Sequence, residues 1–209
     1  MRILIADDHA VVRRGLQQIL ADEFPKAAFG EATNGTEVLD QISKGKWDLL
    51  LMDVTMPGRS GPEILKEVKR LRPRLPVLVL SIHPEDQFAV RVLKAGAAGY
   101  MTKEAAPEEL AGAVKKVLAG GRYVSAFLAE KLATDLAAET ASHPHEALSD
   151  REFQVLRMTG AGKTVKQIAS ELCLSVKTVS TYRVRILEKM QMKNSAELTR
   201  YAIENHLAE

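Results

Sequence analysis

Five times in the first 120 residues a short aliphatic run is followed by a longer stretch of helical periodicity. The pairs read RILIA then VVRRGLQQIL, AAFGEA then GTEVLDQIS, DLLLMD then GPEILKEVKRL, PVLVLS then EDQFAVRVLKAG, and AGYM then PEELAGAVKKVL. Strand and helix in regular succession predict an α/β unit: a parallel five-stranded sheet with helices on both faces. The middle strands lack polar alternation because both of their faces are to be buried.

In such sheets ligands gather beyond the carboxyl ends of the strands. Asp7 and Asp8 stand there after the first run, Asp53 after the third, Ser81 after the fourth and Lys103 just after the fifth. Clustered carboxylates suit a hard divalent cation, and Mg²⁺ takes one or two of them while keeping several waters. A carboxylate can also attack a phosphoryl group, with a metal and a lysine neutralising the equatorial oxygens. Asp53, which ends the apolar run LLLMD, is the natural nucleophile. A single acid at a strand end is usually a turn or helix cap. Five polar positions on one rim argue for a site.

Those residues carry a resemblance. Residues 1–122 resemble a response-regulator receiver domain through Asp7-Asp8, the stretch Asp53-x-x-Met56-Pro57-Gly58, Ser81 after PVLVL, and GAAGYMTK ending in Lys103. The resemblance implies a (βα)5 flavodoxin-like fold in which Asp53 accepts phosphate from a sensor histidine kinase. It implies Mg²⁺ held by Asp7, Asp8, Asp53 and the Thr55 carbonyl, and Lys103 paired with the phosphoryl oxygens. Ser81 and Tyr100 match the family's two switch positions. Such a receiver catalyses its own phosphorylation and dephosphorylation only, so the chain is not expected to be an enzyme otherwise. Thr55 and His83 match positions that line the path of the hydrolytic water in receivers. Neither supplies a good water-orienting carboxylate or amide, and Ile82 narrows access, so a long-lived phosphorylated state is expected.

Residues 123–145, YVSAFLAEKLATDLAAETASHPH, read as a linker, helical at first and hinged at ASHPH. His143 and His145 have no cysteine near them and are read as part of a solvated connector rather than as metal ligands.

The stretch RMTGAGKT, residues 157–164, mimics a nucleotide-binding loop. Such a loop needs a glycine where Arg157 stands, and a strand in front of it. What precedes is LSDREFQVLRMT, a helix with Ser149 and Glu152 as a capping box; Gly160 and Gly162 end it and Thr164 caps the next helix. In that next helix Ile168, Ala169 and Leu172 face inward. After a tight turn holding Cys173, read as a partly buried structural thiol, Val176, Val179 and Ile186 form a second inward face. The spacing is that of a helix-turn-helix. Between residues 163 and 193 Lys163, Lys166, Lys177, Arg183, Arg185, Lys189 and Lys193 outweigh Glu171 and Glu188, the local excess expected of phosphate contacts.

Residues 146–209 resemble the LuxR-type DNA-binding domain, all-α and four-helical, through LSDRE, IASELCLS, KTVSTY, ILEKM and SAELTRYAIENH. With the receiver in front, the chain resembles a NarL/FixJ-type regulator. The resemblance implies that Ser180, Thr181 and Val184 face base edges, while Lys177, Thr178, Tyr182, Arg183 and Arg185 lie against the double-stranded promoter DNA. Ser180 and Tyr182 depart from the common pattern of lysine and histidine, and a serine pairs with several base edges.

Composition bounds the rest. A net charge of +2 singles out no partner, and one cysteine excludes an intrachain disulfide or a tetrathiolate metal site. No apolar run approaches the roughly 18 residues of a membrane span, and MRILIADDHA is too short in apolar residues for a signal peptide. The expectation is a cytoplasmic transcription factor with no membrane partner, dimeric when phosphorylated and paired through residues 195–204, with RNA polymerase as a further partner. Two rivals stand beside it. One is an aspartyl-phosphate phosphatase or NTPase, disfavoured by the missing loop glycine and the lack of a second acid two residues after Asp53. The other is a phosphate-sensing interaction module that does not regulate genes.

Overall fold

Each aliphatic run becomes a strand: β1 (Arg2–Ala6), β2 (Ala28–Ala32), β3 (Leu49–Asp53), β4 (Val77–Ser81) and β5 (Gly99–Thr102). The computed structural model describes residues 1–82, 85–105, 107–130 and 143–208. The chain divides into two compact units, residues 1–137 and 138–209. The division falls inside the stretch read as a linker.

In the first unit the strands are all parallel, in the order β2-β1-β3-β4-β5. They alternate with α1 (Ala10–Glu23), α2 (Gly35–Lys44), α3 (Gly61–Leu71), α4 (Glu85–Lys94) and α5 (Pro107–Leu118). From β1 the chain moves outward to β2 and then returns past β1 to β3, so the winding reverses between β1 and β3. That is where side chains at the strand ends are left uncovered.

Every residue of β3 and β4 is buried. Ile3, Leu49, Leu51, Leu78 and Leu80 belong to one cluster with Leu20 of α1 and Leu110, Val114 and Val117 of α5. The alternate residues Leu4, Leu50, Met52, Val77 and Val79 face the other way by the period of two and are as deeply buried. Each such aliphatic side chain contributes about 1.5–3 kcal/mol. This is why the runs show no polar alternation.

Helix starts follow from local chemistry. Asn34 accepts the Glu37 amide ahead of α2, and Ser60 with Glu63 forms a full capping box on α3.

After α5 the chain returns to the sheet. The Tyr123 amide donates to Ala98 O at 2.9 Å and the Tyr100 amide to Tyr123 O at 3.3 Å, a one-residue bridge on the outer edge of β5. Gly99 permits it: a Cβ there would lie 2.6 Å from Tyr123 O. Residues 126–130 are helical, with the Leu128 amide bonded to Ser125 Oγ and Leu128 fully buried. The first part of the expected solvated connector is therefore fastened down, because Leu128 has apolar surface to bury. Residues 131–142, where its later helical part and the start of the hinge were expected, lie outside the described residues.

The second unit opens with a 3-10 turn (Pro144–Ala147), followed by α6 (Asp150–Gly160), α7 (Val165–Glu171), α8 (Val176–Lys189) and α9 (Ser195–Glu204). Phe153, Val155, Leu156, Ile168, Val179, Ile186, Leu198 and Ala202 form its buried interior. His145 is not solvated either: its Nδ1 lies 2.7 Å from the Tyr201 hydroxyl and its ring packs on Phe153. Ser149–Glu152 and Thr164–Gln167 are both complete capping boxes. RMTGAGKT is thus a helix end followed by a helix cap, with helix rather than strand in front.

All four helices of this unit end alike. After α6, Gly162 has φ +79°, its amide donates to Thr159 O, and the Lys163 amide donates to Met158 O. The same pair of bonds recurs after α7, α8 and α9, where the left-handed residue is Cys173, Gln191 or His206, with φ between +53° and +54°. This is the Schellman closure, for which glycine is the usual residue.

Two sequence expectations change here. Cys173 is exposed, since its closing position uses its backbone and leaves the thiol outside. Val176, expected inward, is 47% exposed; it is the first residue of α8, and burial begins one turn later at Val179. Among the described residues no helix is long and apolar enough to cross a membrane.

Candidate functional site

The rim at the β1/β3 reversal collects acids. Asp7 follows β1 and is 1% exposed, and Asp53 ends β3 and is 2% exposed. Lys103, just past β5, places its Nζ 2.6 Å from Asp53 Oδ2 and 2.6 Å from Asp7 Oδ2. Asp53 Oδ1 accepts from the Thr55 amide at 2.9 Å and the Thr55 hydroxyl at 2.8 Å. Parallel pairing of β3 with β4 brings Ser81 to the same rim, and the Lys103 amide donates to Ser81 O at 2.8 Å. Asp7, Asp8, Asp53, Thr55, Ser81 and Lys103, all singled out in the sequence, gather on this one edge.

Electrostatics decide the protonation of the lysine. Burial alone pulls the Lys103 ammonium toward neutrality, but its hydrogen bonds with Asp53 and Asp7 and their charges outweigh that, leaving its pKa above the ordinary lysine value. The ammonium is thus the counter-charge for two buried carboxylates.

The acids fit a metal. Ligand atoms of Asp7, Asp8, His9 and Asp53 lie within 4.8 Å of one another. Asp7 Oδ2 and Asp8 Oδ1 are shut off from solvent, where they meet the Lys103 ammonium at 2.6 Å and the His9 ring at 2.9 Å. Carboxylate oxygens shut off from water, in a set whose one nitrogen is that of His9, suit a hard divalent cation.

Two neighbours went unnoticed in the sequence. His9 lies against both acids through Nδ1, and its amide donates to Asp7 Oδ1 at 2.8 Å. Arg13, one turn into α1, donates to Asp7 O at 2.8 Å and pairs with Glu31 of β2. The DDH order was visible, but nothing in it told His9 from an ordinary residue before a helix.

Of the expected switch pair, Ser81 and Tyr100 are both fully buried. Tyr100 lies on β5, bonded through its amide to Tyr123 O. Ile82 is 65% exposed at the rim, and His83 lies outside the described residues.

On the second unit α8 turns one face out. Lys177, Ser180, Thr181, Val184 and Glu188 are all exposed. Their spacing of three and four residues makes them one stripe, opposite the buried Val179 and Ile186. Thr178 is half-buried, its amide and hydroxyl both engaged with Ser175 Oγ, the cap of α8. Tyr182 and Arg183 are half-buried on the flank, Arg185 is exposed, and the Arg183 guanidinium donates to Ser195 Oγ at the start of α9.

With this geometry in view, the comparisons with known proteins agree. Residues 3–115 match the family model of the response regulator receiver domain, and residues 146–202 that of bacterial regulatory proteins of the luxR family. The response regulator GacA of Pseudomonas aeruginosa is 39% identical over 210 residues, covering all of this chain and 98% of that protein. The response regulator UvrY of Escherichia coli is 35% identical over 208 residues, covering 99% and 95%. Among solved structures, RcsB from Salmonella enterica serovar Typhimurium, bound to promoter rprA in the presence of phosphomimetic BeF3⁻, matches with a TM-score of 0.67 and 28% identity over 96% of this chain and 97% of that one. A receiver whose acids gather at the β1/β3 reversal, followed by a capped helix-turn-helix, makes this chain a response regulator of the NarL/FixJ type with a LuxR-type regulatory domain.

Proposed function

We propose that the protein is a phosphorylation-controlled transcription factor: Asp53 takes a phosphoryl group from a sensor histidine kinase, and the second unit binds promoter DNA through α8. The observation that carries the first half is the setting of Asp53. It ends a strand buried on both faces, 2% exposed, with the Lys103 ammonium 2.6 Å from one oxygen and two Thr55 donors on the other. In the transfer a carboxylate oxygen of Asp53 attacks phosphorus; the new P–O bond forms as the P–N bond to the kinase histidine breaks, and the departing imidazole keeps the bond's electron pair. Asp7, Asp8, Asp53 and the Thr55 carbonyl would hold Mg²⁺, whose charge offsets that of the phosphoryl oxygens. Lys103, relieved of Asp7 once the acids are neutralised, is left to pair with those oxygens. Ser81 and Tyr100 then shift as the switch pair, and the receiver catalyses no reaction beyond its own phosphorylation and dephosphorylation.

Phosphorylation biases the receiver between two states and thereby favours a homodimer paired through α9, on an inverted or direct repeat. The exposed stripe of α8, with Lys177 and Arg185 as phosphate contacts, supports the DNA half, as do the solved RcsB complexes with promoter DNA. RNA polymerase is the further partner that a promoter-bound regulator would meet.

With a small phosphodonor and Mg²⁺, the wild type gains one base-labile acyl phosphate and Asp53→Asn gains none. Equal labelling of both would remove Asp53 from the role. The phosphorylated protein binds a promoter duplex with steep salt dependence; a labelled protein that bound no duplex would sink the DNA half alone.

A further inference from the structure

A serine or threonine in the major groove is ambiguous by type, since each hydroxyl can donate to a base or accept from one. On α8 that ambiguity is removed. The Ser180 hydroxyl donates to Val176 O at 2.9 Å and the Thr181 hydroxyl to Lys177 O at 3.0 Å. Both protons are spent within the helix, and what each hydroxyl offers outward is lone pairs. Val184 stands one turn further on, three residues after Thr181 and four after Ser180, and is 54% exposed. The centre of the exposed stripe is therefore two acceptors and an aliphatic side chain, with its charged residues, Lys177 and Glu188, toward the two ends.

This set has a counterpart among base edges. The adenine edge offers the N6 amino donor, and its partner thymine offers a C5 methyl group. Both base pairs present two acceptors, so the choice rests on position: where adenine carries the N6 donor, guanine carries the O6 acceptor, which would face a lone pair. Cytosine has an amino donor but no methyl group for Val184 to cover. We propose that α8 selects A·T base pairs at the centre of its half-site, with Ser180 and Thr181 accepting from adenine N6 and Val184 packed on a thymine methyl. The inference rests on the DNA-binding reading of α8 and adds to it the chemistry of the bases chosen.

The test uses the full chain with acetyl phosphate and Mg²⁺. Duplexes are selected from a randomised pool, and in the selected duplex thymine is replaced by deoxyuridine, which lacks only the methyl group. Selected half-sites carry adenine and thymine at their centre. The replacement weakens the wild type by about fourfold for each contacted methyl, from the free energy of burying one such group. Val184→Ala, a change at an exposed position that leaves the interior untouched, binds the thymine and deoxyuridine duplexes nearly equally, and Ser180→Ala relaxes the adenine preference. Guanine at the centre of the selected sites, or a wild type indifferent to deoxyuridine, would overturn the inference while leaving DNA binding intact. No duplex selected at any salt concentration would overturn both.

Discussion

Lys189 of α8 places its ammonium 2.6 Å from Glu152 Oε2, and so ties the outward-facing helix to the first turn of α6. The carboxylate is 4% exposed, the ammonium 42%. Glu152 also accepts the Ser149 amide at 2.7 Å, so one buried group serves as cap and counter-ion at once.

Stability of the second unit therefore falls in acid. Burial raises the Glu152 pKa, but the Lys189 hydrogen bond, the Ser149 donors and the Lys189 charge outweigh it, and the carboxyl titrates below the ordinary glutamate range. A carboxyl lowered by folding contributes stability that is complete above its unfolded pKa, about 4.3, and is lost as pH falls through the folded value. Lys189→Met costs about 1 kcal/mol at neutral pH, since the lysine end is open to solvent, and weakens this acid dependence. Thermal melts between pH 3 and pH 7 check both; an unchanged acid limb in the variant would contradict the assignment.

Lys103→Met leaves Asp7 and Asp53 buried with no counter-charge. The receiver loses about 3 kcal/mol in the presence of a chelator and regains most of it with Mg²⁺, so the melting temperature of the variant depends on the cation more steeply than that of the wild type. Melting curves with and without Mg²⁺ measure the difference, and equal dependence in the two proteins would mean that the lysine and the cation do not share the acids.

The left-handed closures hold removable strain. Gln191→Gly keeps both backbone bonds and relieves a side chain at φ +54°, so it stabilises the second unit by about 0.5–1 kcal/mol. Denaturant titration reads this as a higher midpoint at unchanged slope. A lower midpoint would show that the Gln191 side chain contributes more than its backbone costs.

Arg183 and Arg185 are two residues apart and separate into different roles. Arg183→Ala removes the bond to Ser195 as well as a positive charge and so lowers both stability and DNA affinity, whereas Arg185→Ala lowers affinity and leaves stability within about 0.5 kcal/mol of the wild type. Filter binding paired with calorimetry distinguishes them.

The Thr55 hydroxyl donates to Asp53 Oδ1, and on this ground we expect it not to position a hydrolytic water. The phosphorylated protein keeps its label for minutes or longer, followed as loss of radiolabel after the donor is removed; loss within seconds would contradict this.

Much of this was legible in the sequence because it depends on short-range rules. LLLMD had to be a doubly buried strand, and Asp53 had to emerge at its end; Ser149 with Glu152, and Thr164 ahead of α7, are caps whose chemistry spans three residues. What escaped depends on distances along the chain that no local pattern encodes. Glu152 and Lys189 are 37 residues apart, and Tyr123 finds Ala98 only once α5 has folded back. The left-handed Cys173, Gln191 and His206 escaped for another reason. Each stands where the pattern asks for glycine, and the closing bonds, not the side chain, set the turn.

The Tyr123 bridge on β5 bears on how copies of this chain can associate. An open strand edge invites a second molecule to continue the sheet, the usual route to edge-to-edge aggregation. Here the Tyr100 amide and the Ala98 carbonyl on that edge are already engaged by the chain's own return, and Gly99 admits no closer neighbour than Tyr123. At these two groups the β5 edge is occupied by the chain itself, which blunts it against strand addition, and a substitution such as Gly99→Val would reopen the edge as well as loosen the fold.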